Sequence, residues 1–203
     1  MMKRILLFGL LTTFFWLQAQ NFTNKSLQQA FIQLNNAKTE KDYDDLFQKF
    51  TAAETSEKWQ SYYYSAVAMY LKTNILLQKN ASVSSLKESN TLSQKFAFGA
   101  YSSQQNNGEI NTLLGLIYLQ KFCLGNSEIT PKELSIISEF VSKAESTSFT
   151  SPRLTILKAQ LAEKAGNTKE AEKLYQKATL EFDYDKASSS FSPSWGKQLV
   201  QTK

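Results

Sequence analysis

Ser151 to Ala178 reads SPRLTILKAQLAEKAGNTKEAEKLYQKA, and its punctuation decides how the chain is built. Ser151-Pro152 is a helix start: a hydroxyl that can accept from free N–H groups, then a proline whose missing N–H is harmless in a first turn. Gly166-Asn167 closes that helix and opens the next one. Two helices joined by a tight turn are therefore predicted, the first to Ala165 and the second from Thr168 to Phe182.

The same pattern extends outward. Glycine and proline are sparse, seven and three in 203 residues, and apolar residues recur at three- and four-residue spacing, the mark of an amphipathic helix. Strand-like alternation is nearly absent. The fold class is predicted to be all-α, with eight helices. The first covers Ser26–Lys38 and places Leu27, Ala30, Phe31, Leu34 and Ala37 on one face. The next two run over Glu40–Ala53 and Ser56–Gln78, with Trp59, Tyr62, Tyr63 and Tyr70 at core spacing in the longer one. A fourth spans Ser82–Ser103, with Leu86, Leu92, Phe96 and Tyr101 on its apolar side. Gln104 to Gly108 is a polar break, a fifth helix covers Glu109–Leu124, and Thr130-Pro131 starts a sixth that reaches Ser146. From Asp183 onward the sequence reads as an irregular tail.

The unit around Gly166 resembles the turn and second helix of a tetratricopeptide repeat. Ala171 stands where that family has a small residue for close helix approach, while Tyr175 and Ala178 stand where the next repeat is met. Ala159 and Ala162 hold the corresponding positions of the preceding helix, and Lys158 replaces a large apolar residue. Leu114-Gly115 with Tyr118 echoes the Leu-Gly-x-x-Tyr core of a first helix. Trp59, Tyr62, Tyr63 and Ala66 give a third echo without the glycine. A glycine inside a helix costs about 1 kcal/mol relative to alanine, so Gly115 is expected to face a closely packed neighbour. The spacings Tyr63 to Gly115 and Gly115 to Ala159, 52 and 44 residues, exceed the 34 of a regular repeat. The resemblance thus implies a solenoid of three to four degenerate antiparallel helix pairs over residues 21–182, with 183–203 as a capping tail.

Residues 1–20 have a different character. Lys3 and Arg4 precede an uncharged apolar run, Ile5–Leu17, and small Ala19 follows. That is the layout of a secretory signal peptide, and the run is short for a membrane span, which takes about 20 apolar residues. A periplasmic or secreted protein without a transmembrane segment in its mature chain is expected. Removing the leader takes away Lys3 and Arg4 and no acid, so 23 basic and 18 acidic residues become 21 and 18, a net charge of +3. These charges are interspersed, and no basic stripe of the kind nucleic acid requires is visible. Cys123 is the single cysteine, so no internal disulfide can form.

Chemistry-bearing patterns are missing. The chain has no histidine, which removes Ser-His-Asp and Cys-His arrangements and the commonest zinc ligand sets. It has no glycine-rich phosphate loop. Asp183-Tyr184-Asp185 offers two carboxylates in an expected turn, without the glycine and later acid of a calcium loop. The expectation is a non-enzyme without cofactor or metal: a binding or scaffolding module that holds a peptide or protein partner on a curved helical face. A structural accessory subunit of an outer-membrane or other envelope complex is the alternative, and an exported helical enzyme a lesser one. Partner-binding candidates are Tyr64, expected exposed because it lies off the apolar stripe, together with Lys72, Asn111 and Trp195. Trp195, in Pro193-Ser194-Trp195-Gly196, is expected mainly to cover the open edge of the last helix, as terminal repeats require.

Overall fold

The structure, a computed structural model, describes residues 25–56, 58–124, 129–147, 150–188 and 195–201. The expected leader and its cleavage site lie outside these residues. The described residues form nine helices and no strand: α1 (Lys25–Leu34), α2 (Glu40–Ala52), α3 (Lys58–Gln78), α4 (Val83–Tyr101), α5 (Gly108–Cys123), α6 (Pro131–Ser146), α7 (Pro152–Lys164), α8 (Thr168–Ser188) and α9 (Gln198–Gln201).

The helix ends follow from local chemistry. Thr39 and Asp42 form a reciprocal capping box at the start of α2, and Thr130 and Glu133 form another at α6, where Pro131 occupies the first turn. Ser151 Oγ accepts from Leu154 N at 3.2 Å to open α7. Gly166 takes φ +75°, and Asn167 N reaches back to the Ala162 carbonyl at 2.9 Å, satisfying a carbonyl that α7 would otherwise leave open. Asn80, at φ +53°, performs the same turn after α3.

Two boundaries depart from expectation. α1 stops at Leu34 rather than Lys38, because Asn35-Asn36 follows and Asn36 Nδ2 donates to the Ile32 carbonyl, one of the α1 carbonyls without an intrahelical partner. α8 continues to Ser188, so Asp183 and Tyr184 lie on a helix and not in a turn. Nothing in Asp183–Ser188 breaks a helix: the next proline is Pro193.

Sequential helices pack against one another from α1 to α6 and again from α7 to α9, and alternate helices α1, α3, α5 and α7 touch in series, so that α7 joins the rest of the array chiefly through α5. α3 and α5 are buried on nearly every side, so this row is the spine of the molecule. Gly115 has the close neighbour expected of it. A Cβ there would stand 2.5 Å from Leu157 Cδ2 of α7. Gly115→Val is expected to lower the unfolding free energy by about 1–3 kcal/mol through overpacking. In a urea double-mutant cycle with Leu157→Ala, a coupling of about 0.5 kcal/mol or more should appear; additive losses would refute the contact.

The inner face of α4 differs from the expected Leu92, Phe96 and Tyr101, which are only half-buried. Ser89, Asn90, Ser93, Ala97 and Ala100 are buried there instead. Their small size lets α4 approach α3 closely, and their polar atoms are satisfied on neighbouring helices. Ser93 Oγ donates to the Ala66 carbonyl at 2.7 Å and Ser89 Oγ to the Met69 carbonyl at 3.1 Å. Asn90 Nδ2 bridges to the Ile117 carbonyl and Gln120 Oε1 on α5. Gln120 Nε2 continues the chain to the Tyr70 carbonyl and Asn74 Oδ1. Buried polar groups paired in this way specify one register, since a shifted register leaves them unsatisfied.

Candidate functional site

The four residues nominated from the sequence do not converge on one surface. Tyr64 is a correction: it is completely buried, wedged between Phe31, Phe50 and Tyr63 with ring centroids 5.0–5.5 Å away. α3 is covered on more than one side, so a position off its apolar stripe still faces protein. The ring that stands outside is Tyr62, packed over Gly99. Lys72 is half-buried and bound to both carboxylate oxygens of Asp44 on α2, at 2.6 and 2.9 Å. Asn111 is buried, and its Nδ2 donates to the Gln105 and Asn107 carbonyls, which pins the loop before α5. Lys158, which interrupts the repeat pattern, pairs with Glu145 and ties α7 to α6.

Trp195 occupies the most elaborate environment in the molecule. It is 1% exposed, although it follows the last long helix. Its indole lies edge-on to Tyr70 and tilted against Tyr63, both of α3, with centroids 6.1 and 6.5 Å apart. The Arg153 guanidinium of α7 sits over the same indole, 5.5 Å from its centre. Trp195 Nε1 donates to the Tyr63 hydroxyl at 2.9 Å, and Arg153 Nη1 reaches the Trp195 carbonyl at 3.4 Å. Gly196 follows at φ +100°, where a Cβ would meet Arg153 Cγ and Phe182 Cζ, each at 3.3 Å. Beyond it, Lys197 pairs with Asp183 on α8 at 2.7 Å, and Gln198 Oε1 accepts from Gly196 N at 3.0 Å. Leu199 and Val200 rest on the central core. The tail thus packs on α8 through Gly196 and Lys197, and on α3 and α7 through Trp195.

Its receptor is a buried charge cluster. Glu109, in the first turn of α5, accepts from Arg153 Nε through both carboxylate oxygens, at 3.0 and 2.9 Å, and from Nη2. Tyr63 donates its hydroxyl to Glu109 Oε2 at 3.1 Å. Burial works against the charge on Arg153, but the Glu109 carboxylate outweighs it and holds the guanidinium protonated. Burial, and next the Glu109 charge, push the Tyr63 hydroxyl well above its usual range, so it remains a neutral donor. The carboxylate is bound on both oxygens, an arrangement that positions groups and leaves no free base for proton transfer.

Two hollows open elsewhere. One of about 400 Å³ lies among α6, α7 and α8, edged by Glu145, Lys158, Lys177 and Glu181. Another, of about 600 Å³, lies between α1 and α2 and is edged by Gln29, Gln33, Lys49 and Glu54. Charges of both signs line each, and Thr155 and Glu181 are already bonded to each other at 2.7 Å. No group of three or more His, Cys, Asp or Glu able to hold a metal occurs among the described residues, and no described helix is long and apolar enough to cross a membrane.

Sequence reasoning missed Glu109, Arg153 and Tyr63 as a unit. The available signal was a charged residue in the apolar first half of each of two helices, Glu109 in α5 and Arg153 in α7. Compared with known proteins, the chain matches no family model, no curated protein and no solved structure.

Proposed function

We propose that the chain is a degenerate tetratricopeptide-like array whose task is to hold a peptide or protein segment, as an exported binding or scaffolding module rather than an enzyme. One observation carries this reading. The helical array already holds the chain's own segment Trp195–Val200, a turn that runs into the short helix α9, with an indole pocket, a main-chain hydrogen bond and a polar anchor on α8. The serial contact of α1, α3, α5 and α7 supports the solenoid part of the proposal, since in such arrays the first helices of each pair line one common face. The signal-like sequence Met1–Gln20 supports the periplasmic or extracellular part.

The test is affinity purification of the full-length protein from the native cell envelope after mild crosslinking. A single partner recovered in fixed ratio is the expected result. Recovery of nothing above the level of an unrelated exported protein would count decisively against a binding role.

A further inference from the structure

We infer that the face of α3 and α7 around Tyr63, Tyr70 and Arg153 is a recognition site for a tryptophan-glycine peptide segment, occupied here by the chain's own Trp195-Gly196, and that a partner presenting the same dipeptide competes for it. The inference rests on the proposed binding role and names the ligand class.

Three features separate this site from ordinary packing of a chain end. The recognition groups are positioned without help from the tail. Arg153 is clamped by both oxygens of Glu109, and Tyr63 is oriented by the same carboxylate. A pre-organised site loses little further freedom when it is filled. The contacts are also those of peptide recognition: a charged donor reaching a main-chain carbonyl, a hydroxyl receiving the indole N–H, and a cation over the indole face. Finally, the site reads two successive residues. Tyr63, Tyr70 and Arg153 surround the indole. The following residue must adopt a left-handed backbone and leave no room for a Cβ against Arg153 and Phe182, and only glycine meets both conditions.

A tethered tail competes strongly. Intramolecular effective concentrations are on the order of millimolar when a ligand is joined to its site by a short stretch of the same chain. A site with an intrinsic dissociation constant near ~1 μM would then bind an outside peptide roughly a thousandfold more weakly while its own tail is engaged. Weakening the tail should restore binding in trans.

The experiment uses the full-length protein and a fluorescently labelled synthetic peptide with the sequence of residues 191–203. Trp195→Ala is expected to bind the peptide at least ~10-fold more tightly than the wild type does. Replacing tryptophan or glycine by alanine in the peptide should weaken that binding by ~10-fold or more. Equal binding of the three peptides, or no binding by a Trp195→Ala protein that keeps its helical circular dichroism, overturns the inference. Should Trp195→Ala fail to fold, Gly196→Ala decides: it keeps the indole but strains the docked tail, so the peptide must displace it more readily than in the wild type, and equal displacement sinks the idea. A wild-type dimer by light scattering that Gly196→Ala dissociates would assign the site to a second copy's tail and remove the outside partner. Peptide binding with no envelope partner refutes the broader functional reading alone, whereas an envelope partner without peptide binding refutes this site alone.

Discussion

Glu109→Ala is expected to lower the unfolding free energy by about 3–5 kcal/mol, the usual cost of stranding one member of a buried ion pair. Arg153 is 2% exposed, and its guanidinium cannot lose its proton to escape the penalty. With Glu109 gone, the charge loses the carboxylate that it shares through Nε and Nη2, and keeps the Trp195 carbonyl at 3.4 Å and the indole face. The Tyr63 hydroxyl loses its acceptor in the same step. The effect should spread along the chain, because Arg153 touches both Trp195 and Gly196. Urea unfolding followed by circular dichroism measures the loss. The double variant Glu109→Leu/Arg153→Met should recover most of it, since an apolar pair of similar volume replaces a buried ion pair with little cost. A single-variant loss below about 1 kcal/mol would mean that water reaches the pair.

Alkaline pH is the second large perturbation. Tyr63, Tyr64 and Tyr70 are all at most 2% exposed. Burial raises each hydroxyl above its ordinary value of 10, Tyr70 to about 12, Tyr64 further than that, and Tyr63 well above its usual range. The sign follows directly. Folding keeps these phenols protonated while the unfolded chain releases their protons, so stability is intact below pH 10 and falls as pH rises past it. Each such tyrosine contributes a slope of about 1.4 kcal/mol per pH unit between its unfolded and folded values. Tyr64 and Tyr70 together give roughly 3 kcal/mol per unit from pH 10 to 12, where Tyr70 ceases to add, and Tyr63 steepens the fall in the same direction. Tyr175, half-buried and raised by burial and then by its bond to Glu163, acts in the same direction. Cooperative unfolding between pH 10.5 and 12 is expected, accompanied by the 295 nm phenolate signal. Phenolate absorbance that reaches the full amplitude of all nine tyrosines with helicity intact would show that these rings are open to solvent. Tyr70→Phe should flatten the slope by about 1.4 kcal/mol per pH unit.

The division between what was readable and what was not follows particular residues. Helix content and most helix starts were legible because they depend on local chemistry: Thr130-Pro131, Ser151-Pro152 and Gly166-Asn167 act within a few residues of themselves. The need for a close neighbour at Gly115 was also legible, since a glycine within a helix is costly without one, although its identity as Leu157 was not. Tyr64 misled because periodicity reports one buried stripe, while α3 is enclosed by α1, α2, α4 and α5. The face of α4 misled for the opposite reason. Ser89, Asn90 and Ser93 look like a solvated surface until carbonyls of α3 and α5 accept their hydrogen bonds.

Composition, capping signals and a 3.6-residue rhythm determined that this chain is a series of helices, because each of those cues acts within one or two turns. The Glu109–Arg153–Tyr63 cluster and the docking of Trp195 were decided by the tertiary structure alone. Their partners stand 44, 46 and 132 positions apart, and over such distances linear order carries no information about which charges meet, or which are taken out of water together.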